Sequence, residues 1–272
     1  MTGDLFSLRG LPVVITGAAG LLGRNHALAV AEAGGIPVLL DINSHRLNGI
    51  SSELSAKGHD FLALHADTTN ENVLEKISQS VRNSVGPVHG IVNNVAMNPP
   101  MGKASSVPGN LEDLSLERWD LEHTVSLRSA FLMAKYFGAQ LVERGRGSIV
   151  NVASDLALIA PDQRIYGEGE AESHPRNRKP MTYSSTKSAM LGISRYLATY
   201  WSPLPIRSNA LIPGSVLSTQ SESLQTGLKQ RIPLARLARP DEYKGALIFM
   251  LSEASAYMTG ATVVVDGGRT AW

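Results

Sequence analysis

Val13-Val14-Ile15-Thr16-Gly17-Ala18-Ala19-Gly20-Leu21-Leu22-Gly23 is the stretch that decides the fold. Leu11 to Thr16 is a short apolar run, rich in β-branched residues, that stops at glycine. Such a run marks a buried parallel strand. The glycine-rich turn opens a helical pattern that continues to about Ala33 and stops at Gly34-Gly35. Ile36 to Asp41 is a second strand, ending in an acid. Strand, glycine turn, helix, strand and acid make a dinucleotide-binding βαβ unit. Its glycines let the backbone approach a pyrophosphate, and the helix N-terminus offers amides and a positive dipole end. Asp41 stands some 20 residues past the turn, where an acid can bind the adenosine ribose hydroxyls.

The same alternation continues. Helices are expected over Ser44–Ala56, Glu71–Val85, Leu116–Leu141, Tyr183–Tyr200 and Asp241–Leu251. Strands are expected over Phe61–Asp67, Val88–Asn93, Ser148–Ser154, Ile206–Ile212 and Thr262–Asp266. Asp67 either meets the adenine edge or, with Thr68, caps the next helix. Asn98 to Asn110 is a loop over the ligand crevice, and Leu217 to Ala238 is a polar segment with helical potential, suited to a lid. The pattern predicts one α/β domain spanning 1–272: a Rossmann fold, a doubly wound parallel sheet of about seven strands with helices on both faces. A polar tract at about 156–182 interrupts it as an insertion.

The 272-residue chain has a formal net charge of +1 and is 43% hydrophobic. That balance gives no support for nucleic acid or an anionic membrane as partner. Zero cysteines exclude a disulfide framework, a thiolate nucleophile and a cysteine metal site. No other metal site is expected either: His174 has no second histidine at ligand spacing. No signal-peptide pattern opens the chain, and no apolar stretch approaches the ~20 residues that span a bilayer. The expectation is a cytoplasmic protein acting on a small molecule.

Tyr183-Ser184-Ser185-Thr186-Lys187 carries the chemistry. Tyrosine and lysine four apart share one face of a helix. A phenol titrates near 10, too high for proton transfer at neutrality, and a nearby ammonium lowers that value. The pair can then exchange a proton with a substrate oxygen.

Taken together, the motifs resemble the short-chain dehydrogenase/reductase family from Val13 to Gly268. The matching pieces are Thr16-Gly17 with Gly20 and Gly23, Asp41, Asp67, Asn93-Asn94-Val95-Ala96, Asn151-Val152-Ala153-Ser154, Tyr183 with Lys187, Pro213-Gly214, and Thr259-Gly260 with Val265-Asp266-Gly267-Gly268. The resemblance implies Ser154, Tyr183 and Lys187 as catalytic residues. Tyr183 would be the acid/base, Lys187 would hold the nicotinamide ribose and lower the tyrosine's pKa, and Ser154 would position the substrate oxygen. Gly17, Gly20, Leu22, Gly23, Asp41, Asp67, Asn93, Pro213, Gly214 and Val216 would join Tyr183 and Lys187 around the cofactor, with Asn93 against the adenosine-side ribose and Val216 at the carboxamide. Two departures stand out. The glycines follow Thr-Gly-x-x-Gly-x-x-Gly rather than Thr-Gly-x-x-x-Gly-x-Gly. Ser126 stands where the family carries an asparagine that helps hold a proton-relay water.

Asp41 favours NAD over NADP, because a carboxylate repels a 2′-phosphate; Arg24 and Arg46 are near enough in sequence to soften that repulsion. Arg164, Tyr166, Glu168, His174, Arg176, Arg178 and Lys179 of the insertion either recognise a phosphate or carboxylate or form a solvated or subunit-interface loop. The turn, the insertion and Trp272 also resemble a subgroup associated with flagellin-glycan and surface-sugar biosynthesis. The resulting expectation is an NAD-dependent oxidoreductase of a secondary alcohol or ketone, of a sugar or sugar derivative. The alternatives are an NADPH-dependent 3-ketoacyl-type reductase or a catalytically weak cofactor-binding regulator. The resemblance further implies a homotetramer or homodimer; Trp272 either packs in place or closes a neighbour's pocket.

Overall fold

Short apolar runs that alternate with helical patterns leave little choice but a parallel sheet, and that sheet forms. The computed structural model describes residues 5–98, 110–166 and 178–272. Seven strands pair in parallel: β1 Pro12–Thr16, β2 Ile36–Asp41, β3 Leu62–His65, β4 Gly90–Asn93, β5 Gly147–Val152, β6 Ile206–Pro213 and β7 Thr262–Val265. Their order across the sheet is β3-β2-β1-β4-β5-β6-β7. Every residue of β1, β4, β5 and β6 is buried, as strands covered on both faces must be. The order reverses between β1 and β4, which opens a crevice at the carboxyl ends of these two strands.

The helices are α1 Leu21–Glu32, α2 Ser44–Ala56, α3 Glu71–Val85, α4 Leu116–His123, α5 Ser129–Arg144, α6 Met181–Tyr200, α7 Glu222–Lys229 and α8 Lys244–Leu251. Successive side chains of a strand point to opposite faces, so the core divides in two. Val13 and Ile15 pack with α1, α2 and α8 through Ala27, Leu47 and Leu247. Val14 and Ile149 pack on the other face with Leu74 of α3 and Phe137 of α5.

Three expectations need correction. The long helix over Leu116–Leu141 is interrupted by a π-helical turn, Thr124–Arg128, and continues to Arg144. Ser126 is buried within that turn. Ser154 lies beyond the end of β5, capping a short 3-10 turn, Asp155–Ala157. Only Glu222–Lys229 of the polar Leu217–Ala238 segment is helical. Most of the loop expected from Asn98 to Asn110 lies outside the described residues, as do Glu168, His174 and Arg176 of the insertion. No helix among the described residues is long and apolar enough to cross a membrane.

Candidate active site

The glycine turn joins β1 to α1. Gly17 takes φ +61°, a conformation that glycine adopts without steric cost. A Cβ on Gly23 would stand 2.0 Å from the Gly17 carbonyl oxygen, so α1 reaches the turn only because Gly23 has none. Side chains cap α2, α3, α4 and α7 from Asn43, Asn70, Ser115 and Ser221. At α1 the N-cap is Gly20, no side chain caps the end, and the first turn holds no acid. The amides of Leu21, Leu22 and Gly23 have no partner within the helix. An uncapped, acid-free helix start beside a tight glycine turn fits a pyrophosphate.

Asp41 ends β2 beside this turn. Its Oδ2 accepts from the Ala19 amide at 2.9 Å and its Oδ1 from the Asn43 amide at 2.8 Å. The carboxylate is thereby fixed at the carboxyl end of β2, against the glycine turn. Arg24 is drawn away to Glu53 at 2.6 Å, and Arg46 is exposed on α2. Asp67 does not cap α3: its Oδ1 accepts from the amide and hydroxyl of Thr69, and Asn70 caps the helix.

Asn93 departs from its expected role. Its side chain is buried and donates to Asn151 Oδ1 at 2.7 Å. Asn151 donates in turn to Ser194 Oγ at 2.9 Å. These are bonds between β4, β5 and α6, so the Asn93 amide serves the sheet interior rather than a ribose. Its neighbour Asn94 faces the turn, donating to the carbonyls of Thr16 and Gly17 at 3.1 Å each.

Ser154, Tyr183 and Lys187 come together at the carboxyl end of β5. Ser154 Oγ donates to Asp155 Oδ1 at 2.8 Å and accepts from the Leu156 amide at 3.2 Å. Tyr183 is half-buried in the first turn of α6. Burial pushes its phenol up to about 12; a hydrogen bond with Ser154 pulls the other way, and Asp155 and Tyr166 push it further up. Lys187 is buried, donates to the Val152 carbonyl at 2.9 Å, and stands 5.9 Å from the centre of the Tyr183 ring. Burial, and then the charge of Lys179, bring its ammonium down to about 8. Desolvation is thus the largest influence on the phenol, and Ser154 supplies the opposing one.

Pro213 closes β6, and the Gly214 amide donates to the Val265 carbonyl at 3.0 Å. Val216 bridges to Ala238, and its carbonyl accepts from Gln220 Nε2 at 2.6 Å. Trp272 is exposed and donates to the Arg231 carbonyl at 3.2 Å. Among the described residues no group of three or more His, Asp or Glu side chains is placed to hold a metal.

Sequence reasoning missed three participants. Asp155, beside Ser154, is buried and paired with Arg269; these residues are far apart in the chain and carry no shared motif. For Lys179 the sequence leaves anion recognition and a solvated or interface loop both open; it does not show that the side chain is buried against the face of the Tyr183 ring. Its available signal was position: it precedes Tyr183 by the interval at which Lys187 follows.

Residues 17–270 match a family model described as Enoyl-(Acyl carrier protein) reductase. D-threitol dehydrogenase of Mycolicibacterium smegmatis is 30% identical over 97% of this chain and 95% of its own. The NAD-dependent glycerol dehydrogenase of Listeria innocua is 29% identical over 97% of this chain and 96% of its own. A Beutenbergia cavernae structure, described as a candidate NAD(P) dependent gluconate 5-dehydrogenase with NADP bound at low occupancy, superposes with a TM-score of 0.83 at 27% identity, covering 98% of this chain and 100% of that one. With the reversal of strand order, the glycine turn and the clustered Ser154, Tyr183 and Lys187, these matches lead to one conclusion: the chain belongs to the short-chain dehydrogenase/reductase family, oxidoreductases acting on CH–OH groups.

Proposed function

We propose that this protein transfers hydride between a nicotinamide dinucleotide and the secondary alcohol or ketone of a polyol or sugar derivative. The observation that carries the reading is the meeting of Ser154, Tyr183 and Lys187 at the end of β5. Support for a polyhydroxylated substrate comes from the relatives, whose names specify threitol and glycerol. Bound along the glycine turn, the dinucleotide supplies the ring carbon that takes or gives the hydride.

The protein's own residues handle the proton. As the carbinol carbon loses hydride, the hydroxyl proton passes to the Tyr183 oxygen; in the reverse direction the protonated phenol hands it to the ketone oxygen. Ser154 holds the same substrate oxygen once its hydroxyl swings from Asp155. The Lys187 ammonium favours the phenolate by its charge. Ser126, buried in the π turn, stands in for the family asparagine at the proton relay.

NAD is the preferred nucleotide in this reading. Asp41 is held at the end of β2 and Arg24 is engaged by Glu53, which leaves a 2′-phosphate facing a carboxylate. The Listeria relative is named NAD-dependent; NADP in the Beutenbergia structure favours the alternative of an NADPH-dependent reductase. A place in surface-glycan biosynthesis rests on the sequence resemblance alone. A cytoplasmic homotetramer or homodimer completes the proposal; exposed Phe131 on α5 and Tyr196 and Tyr200 on α6 offer apolar surface for pairing.

The test is a panel of polyols, sugar acids and sugar phosphates with NAD or NADP, followed by nucleotide absorbance. Activity should appear with at least one substrate and fall by about 100-fold or more in Tyr183→Phe, while NADH fluorescence still reports binding. Full activity in Tyr183→Phe would overturn the reading.

A further inference from the structure

Lys179 is a buried cation for which the reaction above has no use. The residue is 8% exposed. The ammonium stands 3.9 Å from the centre of the Tyr183 ring and donates to Asn98 Oδ1 at 2.6 Å. Its backbone is held as firmly. Gln163 Oε1 accepts from the Lys179 amide at 2.8 Å, and Gln163 Nε2 donates to the Lys179 carbonyl at 3.2 Å. Gln163 and Lys179 come from opposite ends of the tract inserted after Ser154. Their clamp brings the lysine to the phenol.

Among the described residues the local charges do not balance. Arg269 is paired with Asp155 at 2.9 Å and Arg118 with Glu122 at 2.5 Å. Lys179 and Lys187 remain. Both are buried, their hydrogen bonds go to the neutral oxygens of Asn98 and Val152, and no ion pair forms at either among the described residues. An ammonium buried without a counter-charge is costly. Burial accordingly brings Lys179 down to about 8, with Asp155 and Glu122 acting only at a distance against it. The ribose hydroxyls assigned to Lys187 bring no charge. With Tyr183 ionised, its phenolate would match one of the two ammoniums; an anion carried by the substrate would match the other. With one N–H given to Asn98, Lys179 keeps two donors for it.

We propose that Lys179 recognises an oxyanion, a carboxylate or a phosphate ester, carried by the substrate close to the carbon that reacts at Tyr183. The substrate is then an acidic polyol, and neutral polyols are poor mimics of it. This rests on the reading of Tyr183 as the proton-transferring group and of the glycine turn as the nucleotide site.

Calorimetric titration of the full chain saturated with NADH tests it, using tartrate, glycerol 3-phosphate and neutral threitol as probes. The wild type should bind at least one oxyanion probe ten times more tightly than threitol. Preference for tartrate assigns a carboxylate, and preference for glycerol 3-phosphate assigns a phosphate ester. In Lys179→Met that advantage should shrink below threefold, and Lys179→Arg should restore part of it. NADH fluorescence reports whether each variant is folded. A wild type that binds threitol as tightly as both oxyanions overturns the proposal even if Lys179→Met fails to fold. So does Lys179→Met with undiminished discrimination. Absence of NADH binding by the wild type instead overturns the nucleotide reading and the proposal with it.

Discussion

Arg269 Nη1 lies 2.9 Å from Asp155 Oδ2, and both side chains are almost wholly buried. The same nitrogen donates to Ser215 Oγ at 3.0 Å. One guanidinium thus joins the C-terminal segment to the residue after Ser154 and to the loop after Gly214. Removing one partner of a buried ion pair leaves the other charged and unpaired. Arg269→Met should therefore lower unfolding free energy by about 3–5 kcal/mol, read from the urea midpoint. Adding Asp155→Asn should recover part of the loss; a double variant no more stable than Arg269→Met would show that the pair contributes through packing alone.

His26 is fully buried in α1, with neither ring nitrogen hydrogen-bonded. Burial lowers its pKa from 6.5 to about 4. Between those two values the unfolded chain binds the proton and the folded protein does not. Stability from this residue is therefore intact above about pH 6.5 and falls as pH drops towards 4, by about 3 kcal/mol in all. Denaturation at pH 7 and pH 4 should show a smaller acid loss in His26→Leu than in the wild type. Equal losses would mean that the imidazole reaches water at low pH.

The glycine turn has graded tolerance. A Cβ at Gly23 would lie 2.0 Å from the Gly17 oxygen, whereas at Gly20 the distance to that oxygen would be 3.2 Å. Gly23→Ala must force the turn open, and NADH affinity should fall at least tenfold. Gly20→Ala needs a shift of a few tenths of an ångström and should lose clearly less. Comparable fluorescence titrations for the two variants would contradict this ranking.

Asp41→Asn keeps an oxygen for one of the two amides that Asp41 now accepts and removes the charge. The NADH-to-NADPH affinity ratio should shift towards NADPH by about tenfold, because the repulsion of a 2′-phosphate is relieved. An unchanged ratio would place the adenosine ribose away from this carboxylate.

Much of the architecture was legible because its signals are local. β2, α2 and α3 begin and end where apolar periodicity and breakers place them. Tyr183 and Lys187 were legible for the same reason, being one helical turn apart. What stayed hidden depends on contacts between distant segments. Nothing near Asn93 says that its amide will meet Asn151, and nothing near Lys179 says that Gln163 will hold it beneath the phenol. The π turn was hidden differently: Thr124 to Arg128 continues an ordinary helical pattern, and only the packing of both flanking helices reveals the extra residue.

That wider turn has a consequence for the phase of the two helices it joins. Each residue of an α-helix advances the face by about 100°. The additional residue at Thr124–Arg128 lets α4 keep His123 against Ser185 of α6 while α5 keeps Lys135 against Glu71 of α3. Were one residue deleted there, the turn would close to regular α geometry and one helix would have to revolve by that angle. Single-residue length changes at this spot should accordingly be felt as a rotation of Ser126 and its flanks relative to the phenol, a far larger disturbance than any side-chain exchange at the same position.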